Sequence, residues 1–236
     1  FVRGGMFDDQ NGFFYEFDGQ NLYAVRRSST KQLAGNVSLV RGSQVVNGES
    51  SSFTSQLTVG DKIVIRGQSY KVTEISSDIR CVVQPAYRGI TATRVKATKT
   101  VDTKPPQSAW NIDKADGTGF TGYNLDLTNL QMAYMDYSWY GAGKIRFGFK
   151  YTHGHVKYMH EFVHNNKINE AYMRTGNVPA RYESFNTGLP TYGPSLFHWG
   201  TSVIMDGGFD DDDSYLFTAS GNALSFTNGA TLSLIH

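Results

Sequence analysis

Short runs of alternating apolar and polar residues fill the chain, and pairs that favour tight turns separate them. Within 62–66, Ile63 and Ile65 fall on one side and Val64 on the other, the period of two that a strand requires. Runs rich in Val, Ile, Tyr, Phe and Thr predict strands at 13–17, 22–25, 36–40, 44–46, 62–66, 70–75 and 79–84. Further runs at 131–139, 145–151, 156–163, 201–205 and 215–219 read the same way. Asn-Gly stands at 11–12, 47–48 and 228–229, and Asp-Gly at 18–19, 116–117 and 206–207. Both central residues of a type I′ hairpin turn need positive φ, which these residue types reach at low steric cost. The best helix candidate, 165–174, is short. The pattern predicts an all-β chain.

Three stretches differ in texture. Residues 1–34 hold a β-hairpin in which Phe13, Phe14, Tyr15 and Phe17 crowd one strand, as expected where both faces are covered. A hairpin alone is too small to be stable, so it is expected to complete a sandwich formed elsewhere. Residues 35–104 hold five short strands, the pattern of a small β-barrel, which would then be an insertion. Pro105-Pro106 reads as a linker. Residues 105–236 are expected to form the body of the β-sandwich, of a lectin or jelly-roll type. The chain opens on Phe1 and stops inside the alternating stretch 230–235, so a fragment of a longer polypeptide is expected.

Composition narrows the class. Of 236 residues, 39% are hydrophobic and 18% charged, with Phe 15, Tyr 14 and Trp 3, too many rings and too few charges for a disordered chain. No apolar run approaches the length of a membrane-spanning helix, so no membrane partner is expected. A lone cysteine, Cys81, precludes an internal disulfide and reads as a small core residue. The formal net charge of +1 is unevenly spread. Residues 35–104 carry ten Lys/Arg against five Asp/Glu, 1–34 four against four, and 105–236 eight against twelve. The basic middle raises nucleic-acid binding, but only Phe53, Tyr70 and Tyr87 offer a stacking platform there. A charge-matched protein surface is the better expectation.

Candidate chemistry is sparse. Gly117, Gly119 and Gly122 spell GxGxxG, but without the strand and helix that would aim amides at a pyrophosphate they read as a flexible loop. His153, His155, His160 and His164 lie close together with Glu161, and read as ordinary histidines rather than a zinc site. Asp206 and Asp210, Asp211, Asp212 and Asp213 read as a solvated acidic loop, with a calcium site as the alternative. No nucleophile elbow, phosphate loop or zinc-protease motif occurs, and no paired carboxylates can be picked out. No catalytic residue, metal ligand or cofactor is assigned. Trp139, Tyr140 and Trp199, with Tyr192 and Phe197, are candidates to stack on sugar rings; core or interface packing is the alternative.

The middle stretch, "GNVSLVRGSQVVNGESSSFTSQLTVGDKIVIRGQSYKVTEISSDIRCVVQPAYRG", resembles a module common in tailed-phage fibre and tail-adaptor proteins. The resemblance rests on Gly42-Ser43, Phe53-Thr54, Leu57, Gly60-Asp61, Ile63, Gly67, Tyr70, Val72, Ile75, Ser77-Asp78, Tyr87 and Gly89. Ser51-Ser52 stands where Gly-Thr is usual, and Cys81 where Leu or Thr is usual. The segments "GMFDDQNGFFYEFDGQNLYAVRRSST", "MAYMDYSWYGAGKIRFGF" and "EAYMRTGNVPARYE" are similar to parts of large structural proteins of marine cyanophages and of large DNA viruses of algae. The resemblance implies a non-enzymatic virion component of the tail, fibre or capsid surface. It would act as a homo-oligomer with copies of itself and other virion proteins. The alternative is a lectin-like module gripping host surface glycans; a glycan hydrolase ranks last.

Overall fold

The computed structural model describes residues 1–151, 154–186 and 195–204. The unit Phe1–Gly200 carries every strand described. Three strands open it: β1 (Val2–Phe7), β2 (Gly12–Phe17) and β3 (Leu22–Gln32). Their turns are set by side chains. Asp8 Oδ1 accepts the amides of Gln10 and Asn11, both at 2.7 Å, and Asp18 Oδ1 accepts those of Gln20 and Asn21 at 2.9 and 2.7 Å. An Asp that replaces the first backbone acceptor of a turn reverses the chain locally.

The middle stretch supplies β4 (Asn36–Leu39), β5 (Val45–Glu49), a single helical turn α1 (Phe53–Gln56), β6 (Lys62–Ile65), β7 (Gln68–Ser77) and β8 (Arg80–Gln84). β9 (Ala92–Val95) and β10 (Ala97–Thr103) follow. Arg66 and Gly67 both have positive φ, 50° and 78°, and close the β6–β7 hairpin. The last strands are β11 (Ala133–Tyr137), β12 (Lys144–Lys150), β13 (Val156–Val163) and β14 (Ala180–Ser184).

The chain is all-β, with one large antiparallel sheet and one small one. The large sheet has the order β14-β1-β2-β3-β10-β6-β7-β8-β5-β4-β9, and the small one β11-β12-β13. Phe13, Tyr15, Leu22 and Ala24 of the large sheet pack against Ile145, Phe147, Phe149 and Met159 of the small sheet, the face-to-face burial of a sandwich. β2 is covered on both faces, because Phe14 points the other way with Phe7 and Val25. Guanidinium groups roof that second face, with Arg27 and Arg3 5.0 and 5.5 Å from the Phe14 ring centre and Arg181 5.4 Å from that of Phe7.

A separate core fills the middle stretch, built from Val37, Leu39, Val46, Ile63, Ile65, Val72 and Val83 around Phe53, Tyr70 and Tyr87. The small barrel expected there is not closed among the described residues. Its strands continue the large sheet, and the ladder changes partner near Lys96. Val95 pairs with Val37 of β4, whereas Ala97 pairs with Ile65 of β6. Positive φ at Arg94, 54°, lies inside β9, where the three steps from Ala92 to Val95 span two on β4 and the register shifts. Pro105-Pro106, expected as a linker, is held against the sheet: the Ala24 amide donates to Pro105 O at 3.3 Å, and Pro106 bridges Tyr23.

The helix expected at 165–174 is replaced by turns and bends. Asn166 has a φ of 54°, and Tyr172 is drawn into the core, where its amide donates to Gly141 O at 2.8 Å. Residues 201–204 carry no strand. Met205, the strand expected at 215–219, and the turn pairs at 206–207 and 228–229 lie outside the described residues.

Candidate functional site

The small sheet turns its inner face to the core and its outer face to solvent. Alternation sorts the residues: Met135 and Tyr137 of β11 and Ile145, Phe147 and Phe149 of β12 point inward. Their neighbours Tyr134, Asp136, Arg146 and Gly148 therefore point outward. A bulge at Met159 lets both Met159 and His160 turn inward, which returns Glu161 to the outer face opposite Arg146.

The outer face holds a fixed polar group. Asp136 and Arg146 are directly opposed across β11 and β12. The carboxylate takes Arg146 Nε on Oδ1 and Nη2 on Oδ2, both at 2.8 Å, and Tyr158 Oη donates to Oδ2 at 2.7 Å. The guanidinium lies 4.2 Å from the Tyr158 ring centre, and Tyr134 meets that ring edge-on at 6.1 Å. The bond to Asp136 holds the Arg146 cation firmly charged, and burial together with the same carboxylate pushes the Tyr158 phenol well above its ordinary range. Neither group gives up its proton at neutral pH, so both serve Asp136 as hydrogen-bond donors.

One side of this face opens into a hollow of about 510 Å³. Its far wall is the segment that runs along the free edge of β13. Asn111 caps that edge, donating to Glu161 O and accepting its amide, both at 2.9 Å. Ile112 and Phe120 line the wall, and Phe120 is 81% exposed. The GxGxxG stretch belongs to this wall. Asp113, buried beneath it, accepts the amides of Ala115 and Thr121, each at 2.9 Å. Burial alone would raise its pKa, but the bonds from Thr121 and Ala115 outweigh it and hold the carboxyl below the usual range. A Cβ on Gly119 would lie 2.2 Å from Asp113 Oδ1, which explains a glycine there without any phosphate.

The expected sugar-stacking residues divide into two groups. Trp139 and Tyr140 sit together in the β11–β12 connection, ring centres 5.5 Å apart and edge-on, and are 51% and 74% exposed. Trp139 lies on Gly176, where an added Cβ would come within 2.6 Å of the indole. Trp199, 75% exposed, neighbours Phe197 at 6.2 Å. Tyr192 lies outside the described residues. The outer-face set of Tyr134, Asp136, Arg146 and Tyr158 escaped sequence reasoning. Alternation hints at which residues face outward, but only the pairing register brings the carboxylate to the guanidinium.

The remaining candidates take structural places. His160 and His164 are buried. His164 Nε2 lies 2.8 Å from Arg26 Nη1, which can only donate, so the ring accepts there and its Nδ1 donates to Gly143 O at 3.2 Å. Burial and the Arg26 cation both keep His164 neutral. Among the described residues, no three His, Cys, Asp or Glu side chains are grouped as metal ligands. His153 and the acidic run at 206 and 210–213 lie outside them. Cys81 is fully buried, with its thiol pushed up to about 11. Phe53, Tyr70 and Tyr87 are core residues and present no platform to a base. No protein family, curated protein or solved structure is found to match the chain.

Proposed function

We propose that the chain is a non-enzymatic structural component of a virus particle, in its tail, fibre or capsid surface, and that it acts by assembling with copies of itself. The observation that carries the reading is the edge of the small sheet. Among the described residues β11 is an edge strand, and the residues around it leave large apolar side chains in solvent. Leu130 and Met132, 74% and 62% exposed, lie just before the strand, and the exposed Trp139 and Tyr140 lie just after it. Soluble monomers normally blunt such an edge with charge, proline or a cover. A second copy that pairs along β11 would bury these groups. The resemblance of 35–89 to a phage tail and fibre module supports the virion setting, and the opposite charge balance of 35–104 and 105–236 supports docking between copies.

Two measurements test this. Peptides of the chain, quantified against the major capsid protein in purified particles, should give a fixed ratio corresponding to a symmetric multiple. Light scattering on the purified chain should show an oligomer that Leu130→Asp with Met132→Asp reduces to monomer. Absence from particles refutes the virion setting. A wild-type monomer at about 10 μM, weak for an obligate assembly, refutes association through β11.

A further inference from the structure

We propose that the outer face of the small sheet is a binding site for a neutral saccharide, with Asp136, Arg146 and Tyr158 fixing its hydroxyls and Phe120 lying against its apolar face. The inference goes beyond the assembly reading and does not depend on it. It also places sugar recognition away from Trp139, Tyr140 and Trp199.

Every cation bordering the hollow already has a partner. Arg146 is held by Asp136 through two bonds of 2.8 Å, and Lys144 Nζ is 3.0 Å from Glu161. Lys157 Nζ donates to Thr121 O at 2.7 Å and lies 4.0 Å from the Tyr151 ring centre. An anionic ligand would meet the Asp136 carboxylate at Arg146 and that of Glu161 at Lys144, and would displace Lys157 from the Thr121 carbonyl. A neutral ligand rich in hydroxyls breaks none. The carboxylate keeps unused lone pairs, and Arg146 Nη1 keeps its donors, because only Nε and Nη2 are engaged with Asp136. A carboxylate and a guanidinium locked side by side present an acceptor and a donor in fixed directions, which suits adjacent hydroxyls on one ring. Because each group already holds the other in place, little side-chain freedom is lost on binding.

The apolar half of the site is complementary. A pyranose has polar edges and at least one face of C–H groups that packs on an aromatic ring. Tyr158 has one face covered by the Arg146 guanidinium and meets half-buried Tyr134 edge-on across Gly148, so the open ring is Phe120 on the wall. Ile112 and Val156 complete the lining. A hollow of about 510 Å³ falls within the ordinary range for small-ligand sites and admits one or two sugar rings.

The test uses the full chain on an array of neutral polysaccharides (glucans, galactans, mannans and xylans) together with sulfated and uronic-acid polysaccharides. Any neutral hit is followed by titration with its oligosaccharide. The expected result is binding to at least one neutral glycan, weakened about tenfold or more by Phe120→Ala and by Asp136→Asn, a factor typical of one lost contact. Trp139→Ala and Trp199→Ala should leave the affinity within about twofold, as residues outside a site do. Phe120 is 81% exposed, so its replacement leaves the fold intact even if Asp136→Asn lowers the melting temperature. Silence on all neutral glycans overturns the proposal. So does binding confined to the acidic ones, or a loss of affinity in the tryptophan variants that Phe120→Ala does not share.

Discussion

Acidification should weaken the fold through buried histidine, above all His160, before any carboxylate matters. His160 sits in β13, turned inward by the Met159 bulge, with Nδ1 accepting the Asn111 amide at 3.3 Å. The neutral ring therefore carries its proton on Nε2, which is buried without a partner. A second proton on Nδ1 would oppose the Asn111 N–H and leave a buried cation with no acceptor on either nitrogen. Burial brings the pKa from 6.5 down to about 4, against the opposing pull of Glu161. The unfolded chain thus binds this proton near 6.5 and the folded chain near 4, so stability is complete above about pH 6.5, falls as the pH drops through that window, and levels off below about 4. That interval corresponds to about 3 kcal/mol at roughly 1.4 kcal/mol per unit. His164 adds in the same direction, since burial and Arg26 lower its pKa as well. Asp9, Asp61 and Asp113 are all held below the usual carboxylate range, so their contributions fade only below about pH 4. Urea midpoints between about pH 7 and 4.3 isolate the histidine window. His160→Asn keeps an acceptor for the Asn111 amide and does not titrate, so it should lose about 3 kcal/mol of the pH dependence. A flat wild-type profile, or an unchanged slope in His160→Asn, would refute the argument.

Three further outcomes follow from the packing. Arg27 is held to Asp102 by two bonds of 2.8 Å and roofs Phe14, so Arg27→Ala should lose about 3 kcal/mol in urea unfolding; a loss below about 1 kcal/mol would place the pair in the class of exposed ion pairs. Phe147 is fully buried between the sheets, and Phe147→Ala should cost about 3–5 kcal/mol, read as a drop in the thermal midpoint. Cys81 should react with a thiol reagent only as the chain unfolds, because the thiol is buried and pushed up to about 11; rapid labelling of the native chain at about pH 8 would contradict its placement.

Local chemistry decides whatever depends on neighbours in the chain. The alternation of Ile63, Val64 and Ile65, the crowding of Phe13, Phe14 and Tyr15, and the Asp-led turns at 8–11 and 18–21 lead directly to β6, β2 and their hairpins. Strands poor in aliphatic residues are harder to read. β1 contains Gly4 and Gly5, and β14 carries Arg181 and Glu183; both are strands because β2 and each other supply the ladder. β9 and β10 look like a polar tail to the middle stretch, yet β10 pairs with β3 from Gln32 to Arg26.

The sequence by itself determined the class of this protein: short strands, tight turns, a large stock of rings and no extended helix, because strand period and turn chemistry act within a few residues. Only the tertiary structure decided which strands share a sheet, where the ladder changes partner at Lys96, and which rings stay in solvent. It also decided the candidate site. Asp136 and Arg146 meet because β11 and β12 pair in one register, and a slip of one residue would turn each to the opposite face. Trp139 and Trp199 look equivalent as letters, but one rests on Gly176, far along the chain, while the other has only its near neighbour Phe197 as a ring partner among the described residues.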